Sequence, residues 1–145
     1  MRMKQKFKNW GICSKLVGKM QNINKQDEVF GGKGMILSNA IDLEDLWENH
    51  NHFYDDMVKF CIDKKKRQVA IDADMHIDLE NELYDAGSDI KDIYGGNIMK
   101  DPVEVIWESH PNIDRNRERG IGRGRELTDQ ATIDELFDIL KEWIK

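Results

Sequence analysis

The chain has 145 residues, 39% of them hydrophobic, and a formal net charge of −6. That length suits one domain around one core, and no apolar run reaches the length of a bilayer span. Two cysteines are too few for a disulfide framework, and the acidic balance argues against general nucleic-acid binding.

Charge is unevenly placed along the chain. Residues 1–34 carry eight Lys/Arg and two acids, a net +6, whereas the remainder carries fourteen and twenty-six, a net −12. The basic segment has no sustained period and ends in Gly31-Gly32-Lys33-Gly34-Met35. Its composition predicts disorder. Gly-Gly-Lys-Gly before a Met also back-translates into a purine-rich ribosome-binding site, which makes Met35 the expected initiator and residues 1–34 an upstream mis-start. The apolar letters from Trp10 to Val17 are broken by Lys15 and too short for a secretory signal, so the expected compartment is the cytoplasm.

Regular patterning begins at Met35. Met35-Ile36-Leu37 reads as a short strand, and Asp42 as the N-cap of a helix reaching about Tyr54 through Leu43, Leu46, Trp47 and His50. Val58, Phe60 and Ile62 alternate, as do Val69, Ile71, Ala73, Met75 and Ile77 after a charged turn at Lys64–Arg67, which predicts a β-hairpin. Leu79–Ala86 is expected to be a short helix closed by Gly87. A second strand pair follows, Ile93–Met99 and Val103–Ser109, turning at Asp101-Pro102. Thr132 opens a capping box, with Thr128 an earlier start, for a last helix whose buried stripe is Ile133, Leu136, Phe137, Leu140 and Ile144. The order β-α-ββ-α-ββ-α gives an α+β fold: a two-layer domain over residues 35–145, with a mainly antiparallel sheet of two hairpins plus a short N-terminal strand, and three helices.

Two segments carry candidate chemistry. Five of the seven arginines fall at Arg115, Arg117, Arg119, Arg123 and Arg125, with Gly120, Gly122 and Gly124 among them. Arginine meets carboxylate or phosphate bidentately, and glycines let backbone N–H groups approach an anion. The spacing is neither a dinucleotide fingerprint nor a P-loop. The other role open to these arginines is pairing with the domain's own acids. Further back, Asp72, Asp74, His76 and Asp78 alternate along the second hairpin strand. Carboxylates and one imidazole on one face would suit a divalent metal, with Asp74, His76 and Asp78 as ligands, although an ordinary solvent-facing sheet side reads the same way. Cys61 has nothing nearby in sequence to activate it, and Trp47, Trp107 and Trp143 read as packing residues.

Four segments, Ile41-Asp42-Leu43-Glu44-Asp45-Leu46, Asp56-Met57-Val58-Lys59, Met75-His76-Ile77-Asp78, and Pro111-Asn112-Ile113 followed by Gly122-Arg123-Gly124-Arg125, agree in order and spacing with a known set. On these the chain resembles a family of small bacterial and archaeal proteins catalogued as domain of unknown function 5674. It differs from that family in having Asp72 and Asp74 where glycines precede the histidine, and Gly120 to Gly124 where the family is more polar. The resemblance implies a compact α+β domain and a site joining His76 and Asp78 to Asn112, Arg123 and Arg125. It implies no reaction.

The leading expectation is a small domain holding an anionic ligand through Arg115, Arg123, Arg125, Asn112 and His76. That ligand is an anionic small molecule or an acidic protein segment, not nucleic acid or membrane. The alternatives are a divalent-metal-assisted hydrolase acting on a phosphate ester and a protein-interaction module.

Overall fold

The computed structural model describes the backbone of Lys4–Lys6 and all of residues 34–145. The basic segment outside those positions, with Trp10, Cys13 and the expected mis-start, lies outside the described residues. The strands are Lys4–Lys6 (β1), Met35–Ile36 (β2), Met57–Asp63 (β3), Gln68–Ile71 (β4), Ile93–Lys100 (β5) and Val103–Ile106 (β6). They form one antiparallel sheet in the order β1-β6-β5-β3-β4-β2. A second, two-stranded piece, Gly122–Arg123 (β7) with Glu126–Leu127 (β8), bridges to Glu108 at the end of β6. The helices are Leu43–Asn49 (α1), His76–Asp85 (α2), Asn112–Arg119 (α3) and Gln130–Trp143 (α4), with a 3-10 turn at Ile90–Asp92. The α+β fold with a mainly antiparallel sheet is therefore as expected. Among the described residues there are four α-helices where three were expected.

Alternation sorts the strand residues into two clusters. Val58, Phe60 and Ile62 face α1 and α4, joining Leu46, Trp107, Ile133, Leu136, Leu140 and Ile144 in the main core. Phe60 meets Trp107 edge-on at 5.4 Å between ring centroids, the favoured arrangement for two aromatic quadrupoles. Cys61 points the other way, into a smaller cluster under α2 with Ala70, Leu79, Leu83 and Ile93. The α4 stripe is buried throughout, as the 3.6-residue period requires. Its N-cap is Asp129, neither Thr132 nor Thr128. The Asp129 carboxylate accepts from the Thr132 N–H at 3.0 Å and hydroxyl at 2.7 Å.

Three elements end differently from the sequence pattern. Asp42 caps α1 as expected, accepting from Asp45 N–H at 2.7 Å, but the helix stops at Asn49. Asn49, His50, Asn51 and His52 are all poor helix formers, and Asp72 Oδ1 takes the His52 N–H at 2.9 Å. β4 stops at Ile71 because Asp72 adopts a φ of 70°, in the left-handed region that ends a strand. Its buried carboxylate rewards that turn by also holding His52 Nδ1. The alternation of residues 72–78 is consequently not that of a strand, and α2 begins at His76, three residues before the expected start.

The arginine segment is built of a helix and a hairpin. Its first half is α3, whose buried residues Asn112, Arg115 and Asn116 are polar and spaced like an apolar stripe. Its second half is the β7–β8 hairpin. Asn116 Nδ2 donates to Gly124 O and Glu126 O, both at 2.8 Å, and Asn112 Nδ2 to Arg125 O at 3.1 Å, so α3 fastens the hairpin by side-chain amides. This approach is so close that a Cβ at Gly122 would lie 2.0 Å from Glu126 O and 2.6 Å from Asn116 Oδ1. Neither neighbour is a flexible side-chain end. Gly122→Ala is expected to lower stability by about 1–3 kcal/mol, as overpacking does. The shift of a denaturant midpoint measures it, and an unchanged midpoint would show that the hairpin is not clamped.

Candidate functional site

On the α2 face of the sheet, beyond the smaller cluster, lies a cavity of about 710 Å³. Lys59 projects into it from β3 because it alternates with Phe60, and Asn97 is its cross-strand neighbour on β5. Asp74, Met75, His76 and Ile77 reach it from the start of α2, and Glu108, Ser109, His110 and Arg125 from beyond β6 and the hairpin. Tyr54 closes the remaining side. Its hydroxyl donates to Asp74 O at 2.6 Å and lies 3.1 Å from Asp74 Oδ1.

His76 is buried to within 8% of full coverage. Its Nε2 lies 2.8 Å from Gly96 O. A carbonyl only accepts, so Nε2 carries the hydrogen and the neutral ring keeps Nδ1 as an acceptor. Burial, aided by the nearby Lys59 and His110 charges, lowers its pKa from 6.5 to about 4, so the ring is neutral near pH 7. Lys59 also has a lowered proton affinity, chiefly through burial, and the Arg125 charge pushes it the same way while Asp74 and Glu108 oppose. Its Nζ sits 4.9 Å over the Tyr54 ring centroid, a cation–π contact. Ser109 is 3% exposed, and its Oγ has no hydrogen-bond partner among the described residues.

The five arginines divide sharply. Arg115 is buried beside Glu80, with Nη2 to Oε2 at 3.1 Å; its Nε donates to Ile93 O at 3.1 Å and Nη2 also to Ile90 O. It ties α3 to α2 and the sheet, and is no part of the cavity. Arg117 pairs with Asp114 one turn away at the surface. Arg119 donates to the Tyr94 hydroxyl. Arg123 is exposed on β7 and does not line the cavity. Arg125 does, and its guanidinium makes no hydrogen bond or ion pair with any described residue.

Of the expected site residues, the structure thus brings His76, Asp74 and Arg125 together. Asn112 is fully buried elsewhere: its Oδ1 accepts from Gly95 N–H and its Nδ2 donates to Gly95 O, both at 2.9 Å. The expected metal set of Asp74, His76 and Asp78 does not assemble, because its common strand face does not exist and Asp78 lies outside the cavity lining. Among the described residues no group of three or more His, Cys, Asp or Glu side chains is placed to hold a metal ion. Sequence reasoning missed Lys59, Tyr54, Asn97, Glu108 and Ser109. The signal for Lys59 was a single cation in mid-strand, between the apolar Val58 and Phe60. Cys61 is wholly enclosed, and burial pushes its thiol pKa well above the usual value, so it stays protonated and inert.

Residues 35–143 match the family described as "Protein of unknown function (DUF5674)", and the chain belongs to it. No curated protein and no solved structure matches the chain. No helix among the described residues is long and apolar enough to cross a membrane.

Two outcomes follow for this region. Arg115→Ala leaves Glu80 and two carbonyls buried without their partner, and should cost about 3–5 kcal/mol, whereas Arg117→Ala should stay within about 0.5 kcal/mol. Equal losses in denaturant titrations would contradict the division of roles. For His76 the unfolded ring binds a proton that the folded ring refuses. The stabilisation is complete above pH 6.5 and is lost as pH falls through about 4, amounting to about 3 kcal/mol across that window. His76→Gln should flatten the difference in unfolding free energy between pH 6.5 and 4 relative to the parent protein. A parallel profile would refute it.

Proposed function

We propose that this member of the DUF5674 family binds a small anionic ligand in the cavity between the start of α2 and the β3–β5–β6 face. The observation that carries this reading is Arg125: in a chain of net charge −6, rich in carboxylates, its guanidinium has no partner among the described residues and lines the same cavity as Lys59. Burial chiefly lowers the proton affinity of Lys59, and repulsion from Arg125 adds to it against the pull of Asp74 and Glu108. An anion between Lys59 and Arg125 removes that repulsion and makes charge-assisted hydrogen bonds to both. The start of α2 adds the partial positive charge of a helix N-terminus. Met75 at its N-cap supplies no side-chain hydrogen bond, so the first N–H groups have no competing side-chain acceptor there.

The cavity's volume falls in the range of small-molecule sites, which favours a metabolite-sized anion over an acidic protein segment. His76, neutral and accepting through Nδ1, orients the ligand and does not add charge. Arg123 stands outside the cavity and serves at most long-range attraction. The reading is of a binding protein of the cytoplasm, the compartment in which two cysteines without a disulfide framework are at home. Isothermal titration with inorganic phosphate tests it. Lys59→Ala and Arg125→Ala should each weaken binding by about tenfold or more, the worth of one charge-assisted hydrogen bond, and Arg117→Ala should change nothing. A Lys59→Ala/Arg125→Ala double variant that binds like the parent would end the proposal.

A further inference from the structure

Hydrophobic side chains stand exposed at two positions where local chemistry favours others. Met75 occupies the N-cap of α2, a position at which Ser, Thr, Asp or Asn stabilises a helix by about 1 kcal/mol through a hydrogen bond that Met cannot make. It is 57% exposed. Ile77, in the first turn of the same helix, is 42% exposed and β-branched, which a helix tolerates less well than a straight chain. Neither residue gains a core contact in return, since both are absent from the main and smaller clusters. Yet both line the same cavity as Lys59 and Arg125. Departures from local preference without compensation in the fold mark places where a site, not stability, sets the residue.

We propose that the ligand is an amphipathic anion: a carboxylate or phosphate headgroup between Lys59 and Arg125, carrying an aliphatic or aromatic body that covers Met75 and Ile77. This rests on the anion-binding reading and adds the ligand's second half. Ser109 fits the same arrangement, since its buried hydroxyl lines the cavity and has no described partner. It donates to the headgroup, while the methionine, flexible and polarisable, adapts to bodies of different shape. The two carboxylates of the cavity, Asp74 and Glu108, oppose the loss of the Lys59 proton and disfavour headgroups carrying more charge than the cations neutralise.

The chemistry predicts a graded response that a purely electrostatic site lacks. Burial of a methylene contributes about 0.8 kcal/mol, or close to fourfold in affinity, and about twofold when half buried. Titration calorimetry should compare inorganic phosphate with ethyl, butyl, hexyl and octyl phosphate, each below its aggregation threshold. Affinity is expected to rise about two- to fourfold per methylene until the body overruns Ile77. Met75→Ala/Ile77→Ala should abolish that gradient with inorganic phosphate still bound; both positions are exposed, and alanine adds no acceptor that competes for the helix N–H groups, so the variant folds and keeps the headgroup site. A chain-length series that is flat in the parent, with phosphate still bound, overturns the amphipathic ligand and spares the anion site. A gradient that persists in the double variant also overturns it. If neither phosphate nor any alkyl phosphate binds, both readings fall.

Discussion

Asn112 and Asn116 stand one turn apart on α3, and their carboxamides decide where the cavity's far wall is. The first satisfies both backbone groups of Gly95 on the sheet and reaches Arg125 O; the second holds the carbonyls of Gly124 and Glu126. A buried amide that makes three such bonds is fully used, and removing it would orphan backbone groups on two separate elements. The hairpin buries little apolar surface of its own beyond Leu127. It is therefore positioned by part-buried polar bonds, for which geometry matters more than area. Arg115, on the same helix, closes the arrangement by neutralising Glu80 of α2. The arginine–asparagine stripe of α3 does for this corner what leucines do for α4.

The charge pattern acquires a meaning from this division. Three of the five clustered arginines are consumed in holding the fold or its surface, by Glu80, Asp114 and the Tyr94 hydroxyl. Of the remaining two, Arg123 stands outside the cavity, and Arg125 lines it together with a lysine that arrives from a distant strand. The cluster in sequence and the cluster in space thus share only one member. The cavity sets the cations Lys59 and Arg125 and the carboxylates Asp74 and Glu108 around an uncharged acceptor, His76, with the apolar Met75 and Ile77 exposed beside them.

Much of the scaffold was legible because apolar residues repeat at the period of the element that buries them. Val58, Phe60 and Ile62 named one face of β3, and Ile133, Leu136, Phe137, Leu140 and Ile144 named the buried side of α4. Residues 72–78 show the same two-residue period without being a strand. A single left-handed residue, Asp72, breaks the strand, and periodicity carries no information about φ. The α3 helix was hidden for a complementary reason: its buried stripe is Asn112, Arg115 and Asn116, with a helical period but no apolar residue to reveal it. His76 and Arg125 were legible as chemistry. Lys59, Tyr54 and Ser109 were not, because what makes them members of the site is the pairing of β3 with β5 and the packing of residues 72–77 beside 52–54.

Arg125 is anchored at its backbone and unrestrained at its tip. Its carbonyl accepts from Asn112 Nδ2 and from Ser109 N–H, each at 3.1 Å, while its guanidinium has no described partner. A side chain mounted this way behaves as an arm on a fixed pivot. Under the proposed anion-binding reading, capture orders one set of rotamers, at about 0.5–1.5 kcal/mol, and leaves the hairpin where it was. On that reading association asks for no loop closure beforehand, only for one arginine to find its target.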